Sequence, residues 1–178
     1  MSKQFEEKKF TIPKLKGVSE KNIEEHLKLY AGYVKNANEL LGGEEYNRRF
    51  PFEFNGMRIH EIYFSHFEGG PKPLPSESSK FVQAGFDIEK FKTIALTRGV
   101  GWAIVYYDST SSQLLHSWVD EQHLGQLSGC IPILALDMWE HAFVADYQPS
   151  GKKNYIEDFF INLNWHNVEE NFANARRK

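Results

Sequence analysis

The sequence predicts an α+β fold, in which an N-terminal α-hairpin is followed by a three-stranded antiparallel sheet packed with helices. Two observations support this prediction. Apolar residues recur at helical spacing through residues 20–67, and three short apolar runs, at 101–107, 113–119 and 131–137, follow a break rich in Gly and Pro. Helices followed by strands, without regular alternation, are typical of the α+β class.

The bulk composition excludes several classes of function. The chain has 178 residues, which is enough for one domain or for two small layers that share a core. A net charge of −3 offers no basic footprint for nucleic acid, no run is long and apolar enough to span a membrane, and the N-terminus lacks an apolar signal core. Cys130 is the single cysteine, so an internal disulfide and a thiolate-cluster metal site are excluded. We therefore expect no nucleic-acid partner, no membrane partner and a cytoplasmic location.

The N-terminal half predicts an arm and two helices. Residues 1–18 are polar and predict an extended arm on the surface, after which Ser19 is a suitable N-cap. The first helix is predicted from about 20 to 41 and is ended by Gly42-Gly43, and Pro51 can begin the second. The two helices present one apolar face each, which carry Ile23, His26, Tyr30, Tyr33 and Ala37 in the first and Gly56, His60, Tyr63, Phe64 and Phe67 in the second.

The Gly- and Pro-rich stretch at residues 69–76 is the clearest break in the chain. It predicts an arm and α-hairpin domain at 1–70 and an α+β domain at 71–178. Within the second domain, the strands at 101–107 and 113–119 flank a polar turn and predict a hairpin. The remaining helices of this domain are predicted at 78–84, 87–97, 139–146, 152–161 and 165–175.

Asp137 and His141 stand at and just after the end of the third predicted strand. A buried carboxylate is costly there unless something pairs with it, and a metal ion is the most economical partner. His26 and His60 lie on otherwise apolar helix faces, so the four side chains form a candidate set of three imidazoles and one carboxylate. One such histidine alone is more often a core residue, but four donors together favour a metal site. Iron and manganese suit this set; zinc fits less well, since the usual Cys ligands and the His-Glu-x-x-His signature are absent.

Residues 137–143, Asp-Met-Trp-Glu-His-Ala-Phe, resemble the iron/manganese superoxide dismutases. The resemblance covers most of the chain. It implies the family's α-hairpin and α+β domains, one manganese or iron ion per subunit, and superoxide as the substrate, disproportionated to oxygen and hydrogen peroxide. Further matching segments lie at 33–38, 101–103, 131–134, 146–148, 155–156 and 164–165.

The resemblance implies that His60, Asp137 and His141 are metal ligands. The ligand on the first helix is less simple, because in the common pattern a Tyr-Val pair lies eight residues after the histidine, whereas Tyr33 lies seven residues after His26. An ungapped match would give Glu25 instead. We prefer His26, because seven residues are close to two helical turns, whereas Glu25 points about 100° away. The missing residue is then explained by the loss of a one-residue helical bulge.

The resemblance also implies catalytic roles near the metal. Tyr33 matches the gateway tyrosine. Gly56 stands where iron-type members often carry a Gln, so the donor that hydrogen-bonds to solvent at the metal must come from elsewhere. Gln122 and His123 are equal alternatives for that donor. Gly56 in this position weakly favours a site that uses manganese, or one that uses either metal.

Five more positions match the family's site wall and dimer interface. Phe64, Trp102 and Trp139 match the aromatic wall. Glu140 matches a residue that reaches the partner subunit's ligand histidine, and Tyr147 matches another interface residue, which together imply a homodimer, possibly paired into a tetramer.

One departure from the family supports an alternative function. The histidine that usually accompanies the gateway tyrosine is replaced by Leu29 or Tyr30. Together with the shorter spacing on the first helix, this slightly favours a metal-binding member without dismutase activity, in a structural or interaction role. A hydrolase would need a separate general base, which the sequence does not nominate.

Overall fold

The computed structural model describes residues 3–41 and 48–177. Helix α1 (Glu20–Leu41) and helix α2 (Arg49–Ser65) form the hairpin, which confirms the first part of the predicted fold. The predicted helix stop at Gly42-Gly43 lies outside the described residues. The predicted apolar face of α1 is buried, including His26 and Tyr33. The hairpin therefore turns its histidine-bearing faces inward.

Helix α2 begins two residues before the predicted start at Pro51. Pro51 lies in the first turn, where backbone N–H groups have no partner inside the helix, so a missing N–H costs nothing there. The Pro51 carbonyl accepts a hydrogen bond from Asn55 Nδ2 at 2.7 Å.

The second half contains the predicted three-stranded antiparallel sheet, in which the first strand of the chain lies between the second and the third. Two short helices precede it, each capped by a side chain: Ser79 accepts from the N–H of Phe81, and Asp87 accepts from the N–H of Lys90. Both helices are shorter than predicted: each begins later, because the chain is helical only after its cap, and each also ends one or two residues earlier. In chain order the elements are α3 (Lys80–Gln83), α4 (Ile88–Ala95), β1 (Gly101–Asp108), β2 (Gln113–Asp120), β3 (Ile131–Asp137), α5 (Glu140–Tyr147), a 3₁₀ turn (Pro149–Gly151), α6 (Lys152–Asn162) and α7 (Trp165–Ala175).

Strand β1 is the central strand, and its residues 101–107 are all buried. Its register places Trp102 opposite Val119 on β2 and opposite Asp137 on β3. A buried indole therefore lies beside the strand-end carboxylate.

The N-terminal arm is less exposed than predicted. Leu15 and Val18 are buried, and Phe10 packs against the core. The N–H of Phe5 donates to Asn38 at 2.7 Å, and the N–H of Lys8 donates to the Tyr30 hydroxyl at 2.9 Å. The arm lies against the hairpin because apolar residues interrupt its charged sequence at intervals.

Direct contacts join the hairpin to the second half. Helix α2 packs on β3, and α1 packs on α5. Asn22 Nδ2 on α1 donates to the Ala142 carbonyl at 3.3 Å and to Asp146 at 3.0 Å, both on α5. The predicted domain boundary at residues 70 and 71 stays a prediction. No helix among residues 3–41 and 48–177 has both the length and the hydrophobicity needed to cross a membrane.

Candidate metal centre

Four side chains from distant parts of the chain meet in the interior. His26 comes from α1, His60 from α2, Asp137 from the end of β3 and His141 from the first turn of α5; one ligand atom of each lies within 4.8 Å of the others. Asp137 Oδ2 is the common neighbour: it lies 3.1 Å from Nε2 of His26, 3.1 Å from Nε2 of His141 and 3.5 Å from Nε2 of His60. The structure thus brings together the complete predicted ligand set.

The backbone after β3 orients the Asp137 carboxylate. The N–H of Trp139 donates to Asp137 Oδ1 at 2.8 Å. The N–H of Met138 donates to the Gly101 carbonyl at 2.9 Å, which keeps the chain on the sheet up to that point. Oδ1 is therefore occupied by backbone, and Oδ2 faces the three imidazoles.

Gly56 determines which nitrogen of His60 is available. Nδ1 of His60 lies 2.6 Å from the Gly56 carbonyl, and since a carbonyl can only accept, Nδ1 is the donor. Nε2 then carries the lone pair, and it is buried without a hydrogen-bond partner among the described residues. A buried imidazole nitrogen of this kind, next to a carboxylate and two further imidazoles, fits a metal ligand whose tautomer is held from behind.

The electrostatics separate His141 from the other two histidines. Burial lowers the pKa of His60 to about 3 and also lowers the pKa of His26. Burial opposes the charged form of His141 too, but the negative charge and hydrogen bond of Asp137 outweigh it and raise the His141 pKa. Burial would raise the pKa of Asp137, yet the charge and hydrogen bonds of His141 and His26 hold it well below its usual range. The cluster is therefore anionic at its carboxylate and neutral at His26 and His60 near pH 7.

Glu25, the alternative to His26, lies outside the cluster. Its carboxylate is exposed and accepts a hydrogen bond from Lys28 at 2.7 Å. Helix α1 is α-helical throughout, with no wider turn between His26 and Tyr33. A seven-residue step therefore brings both side chains to the same side of the helix.

A hydrogen-bonded chain leads from the sheet to Tyr33. Trp102 Nε1 donates to Gln122 Oε1 at 2.8 Å, and Gln122 Nε2 donates to the Tyr33 hydroxyl at 2.9 Å. An indole can only donate, so it dictates which end of the Gln122 amide faces Tyr33. The Tyr33 ring lies beside His60, with 5.1 Å between the ring centroids. Tyr33 accepts from Gln122, which leaves its own O–H hydrogen to donate.

His123 does not take part in this chain. Its ring meets Phe52 edge-on at 5.8 Å, and both ring nitrogens are buried without a hydrogen-bond partner among the described residues. It lines a pocket of about 360 Å³ whose other lining residues are Arg48, Arg49, Phe52 and Glu121.

Aromatic rings surround the cluster as predicted for a wall. Phe64 lies 5.0 Å from His26, and Trp102 lies 4.9 Å from His60, both measured between ring centroids. Trp139 stacks on His141 at 5.9 Å and donates from Nε1 to the Glu121 carbonyl at 3.2 Å. Phe64 and Trp102 are fully buried, whereas Trp139 is partly exposed.

Comparison with known proteins decides the family. Residues 78–171 match the model of the iron/manganese superoxide dismutases, C-terminal domain. The chain belongs to the iron/manganese superoxide dismutase family. An iron superoxide dismutase of Aquifex aeolicus is 31% identical over 189 residues, covering 92% of this chain and 88% of the relative. A manganese superoxide dismutase of Mycolicibacterium paratuberculosis is 30% identical over 173 residues, covering 86% and 83%.

The two predicted interface residues of this superoxide dismutase family member lie in settings that differ from each other. Glu140 is exposed and adjoins His141, whose side chain is 29% exposed. Tyr147 packs against Tyr155 at 5.6 Å, and its hydroxyl donates to Asp158 at 3.0 Å. The polar end of Tyr147 is thus engaged within its own chain.

Leu29 and Tyr30, the two candidates for the position of the family's accompanying histidine, lie in different settings. Tyr30 is fully buried, and its hydroxyl accepts from the N–H of Lys8 at 2.9 Å and donates to Glu61 at 3.4 Å. Leu29 is exposed. Tyr30 therefore faces the N-terminal arm rather than Tyr33.

Sequence reasoning missed three residues around this dismutase-type centre. Tyr63 lies against His26 at 5.2 Å and shares a hydrogen bond with Tyr155 at 3.1 Å. Gly56 supplies the carbonyl to His60, and a Cβ added there would lie 2.6 Å from the Tyr33 ring. Their helical spacing from His60, three residues after and four before, was an available signal. His66 is also fully buried, and no sequence signal pointed to it.

Proposed function

We propose that this chain is a superoxide dismutase that binds one iron or manganese ion between His26, His60, Asp137 and His141. The reaction converts two superoxide anions and two protons into oxygen and hydrogen peroxide. The observation that carries the proposal is the buried cluster of three imidazoles around one carboxylate oxygen, in a chain of this family. When bound, the metal would supply one-electron exchange with superoxide by alternating between two oxidation states.

The four side chains would bind the ion and determine its charge. The Gly56 carbonyl holds Nδ1 of His60, so Nε2 carries the lone pair, and Nε2 has no hydrogen-bond partner among the described residues. Metal binding would displace the proton that Asp137 favours on His141. Three neutral imidazoles and one carboxylate would leave a divalent or trivalent ion with net positive charge, which attracts a small anion.

Tyr33 and Gln122 would hold a protonated hydroxyl close to the substrate. Peroxide formation consumes two protons, so a donor close to the cluster is required. Burial and the negative charges of Asp137 and Glu53 raise the Tyr33 pKa well above its usual value, so the Tyr33 hydroxyl stays protonated and can donate a hydrogen bond. We assign the supporting role to Gln122 rather than to His123, since Gln122 holds the Tyr33 oxygen.

Phe64, Trp102 and Trp139 would exclude water from the cluster. Their rings lie against the three histidines, which lowers the local dielectric constant and strengthens the field of the bound ion. His141 is the one partly exposed member of the set, so its side is where the cluster approaches the surface.

The surface beside His141 would be the interface of a two-fold homodimer. Glu140 is exposed next to it, and in an isologous interface it would reach the partner's His141. Tyr147 would border this interface through its ring. Sedimentation of the unmodified chain and of Glu140→Ala would test the proposal: a dimer that dissociates more readily in the variant is expected, and a monomeric unmodified chain would contradict it. A cytoplasmic location and the division into 1–70 and 71–178 remain part of the proposal.

Dismutation by the purified chain, loaded separately with iron and with manganese, is the direct test of function. Activity is expected in at least one form, together with about one metal ion per subunit by elemental analysis. Inactivity of the iron, manganese and mixed forms would overturn the proposal. The second candidate function is a metal-binding member with a structural or interaction role. It is favoured by the hydrogen bond of Tyr30 to Glu61, which turns Tyr30 away from Tyr33. An inactive chain that still binds metal would support this second function.

A further inference from the structure

His66 is a buried histidine that lies outside the metal cluster. It is the C-cap residue of α2, and its Nε2 accepts a hydrogen bond from the backbone N–H of Ala135 at 3.1 Å. Because Nε2 accepts, the ring proton is on Nδ1. Nδ1 is buried without a hydrogen-bond partner among the described residues. An unpaired buried donor costs stability.

The bond to His66 closes an open position on an edge strand. Strand β3 has β1 on one side only. Alternate residues of such a strand direct their N–H and C=O groups away from the neighbouring strand. His66 takes the outward N–H of Ala135, and Asn171 Nδ2 from α7 donates to the outward carbonyl of Ile133 at 3.3 Å. The free edge of β3 is therefore held at two successive outward positions.

Asp137 is two residues beyond Ala135 on β3, and His60 is six residues before His66 on α2. These steps correspond to about 7 Å along the strand and about 9 Å along the helix. The His66–Ala135 bond therefore joins β3 to α2 at a point separate from the one where Nε2 of His60 approaches Asp137 Oδ2 at 3.5 Å. Because Nε2 and Oδ2 both present lone pairs and do not bond each other, the His66–Ala135 bond is the attractive contact of the two, and it limits sliding of β3 against α2.

We propose that His66 is a positioning residue for the metal centre. By holding the N–H of Ala135 it sets the position of β3 against α2, and so the separation of Asp137 from His60 before any ion binds. This inference rests on the proposed function only in that the cluster binds a metal, and it does not depend on dismutation.

A second histidine provides a matched control. Nε2 of His116 on β2 accepts a hydrogen bond from the backbone N–H of Asp87 at 3.2 Å. This is the same type of bond, but it lies at the opposite edge of the sheet, where β2 is separated from β3 by β1. Loss of this bond should lower the stability of the fold without changing the position of β3 against α2.

The experiment compares full-length His66→Leu, His66→Gln and His116→Leu with the unmodified chain. Affinity for manganese(II), measured by competition with a chelator, is expected to fall 10- to 100-fold in His66→Leu, which is the usual range for residues that support a ligand. His66→Gln keeps an acceptor and should stay close to the unmodified chain, as should His116→Leu. Amide exchange of Ala135 in the metal-free protein should be faster in His66→Leu alone.

Two results with the folded variants would overturn the inference, and two with the unmodified chain would do the same. Equal losses of manganese affinity in His66→Leu and His116→Leu, or a lower Tm in His66→Leu with unchanged affinity, would reduce His66 to a packing role. If His66→Leu does not fold, the hydrogen bond is tested in the unmodified chain. Fast exchange of the Ala135 amide, or a proton on Nε2 of His66, would show that His66 does not accept from Ala135 and would refute the inference. A chain that binds manganese without dismutating superoxide would contradict the proposed function alone.

Discussion

Gln122 and Tyr33 are joined by a 2.9 Å hydrogen bond although 89 positions separate them in the sequence. The bond is directional, because the Trp102 indole holds Gln122 Oε1 and so turns Nε2 towards Tyr33. Gln122 is fully buried. Tyr33 is therefore oriented from the sheet side of the cluster.

Replacing Gln122 by Leu should reduce dismutation strongly and leave the metal bound. The variant removes the donor to Tyr33 and the acceptor of Trp102 but no ligand, so we expect kcat to fall 10- to 100-fold, as is typical of support around a metal centre. The measurement is steady-state dismutation per metal ion bound. His123→Leu is the control and should change kcat little; a larger loss there than in Gln122→Leu would contradict the assignment.

Gly56→Ala should lower both stability and activity. The added Cβ would lie 2.6 Å from Tyr33 Cδ1 and 2.8 Å from Cε1, so the ring must move away from its place. We expect a loss of about 1–3 kcal/mol in the free energy of unfolding, as for other overpacked sites. Gly32→Ala on α1 is the matched control, because nothing lies within 4 Å of a Cβ added at that glycine. That variant should gain about 0.5–1 kcal/mol from helix propensity, and similar effects at both glycines would refute the steric argument.

His26→Ala should abolish metal binding, whereas Glu25→Ala should retain it. His26 faces Asp137 at 3.1 Å in the buried cluster, and Glu25 pairs with Lys28 in solvent. Elemental analysis of the two purified variants, loaded in parallel, gives the comparison. Metal retained in His26→Ala and lost in Glu25→Ala would mean that the ungapped family match was correct.

The metal-free chain should lose stability as the pH falls from about 6.5 towards 3, in part through His66. Burial lowers the His66 pKa from 6.5 to about 3. The unfolded chain therefore takes up the proton first, and the stability present above pH 6.5 is lost at about 1.4 kcal/mol per pH unit as the pH falls. Denaturant unfolding of His66→Gln between pH 6 and 4 should show a slope smaller by about this amount. Parallel slopes would show that His66 does not remain neutral in the folded chain.

The sequence was sufficient for the elements and for the candidate ligands. Helical and strand periodicity reflect which face of each element is buried, so the bounds of α1 and β3 agree with the structure. A histidine on an apolar helix face and a carboxylate at a strand end are local patterns, so His26 and Asp137 were visible before the fold was known. The shorter α3 and the earlier start of α2 depended on caps and first-turn geometry, which periodicity does not report.

The tertiary structure decided what depends on groups far apart in the chain. Gln122 and His123 are adjacent and both polar, and only the positions of Trp102 and Tyr33 distinguish them. His66 gave no signal in the sequence, because its partner is the backbone N–H of an edge strand and any residue except proline would present the same group at position 135. A sequence records the side chains that each element carries. Which backbone groups remain open at a sheet edge, and which side chain reaches them, is determined only when the elements pack together.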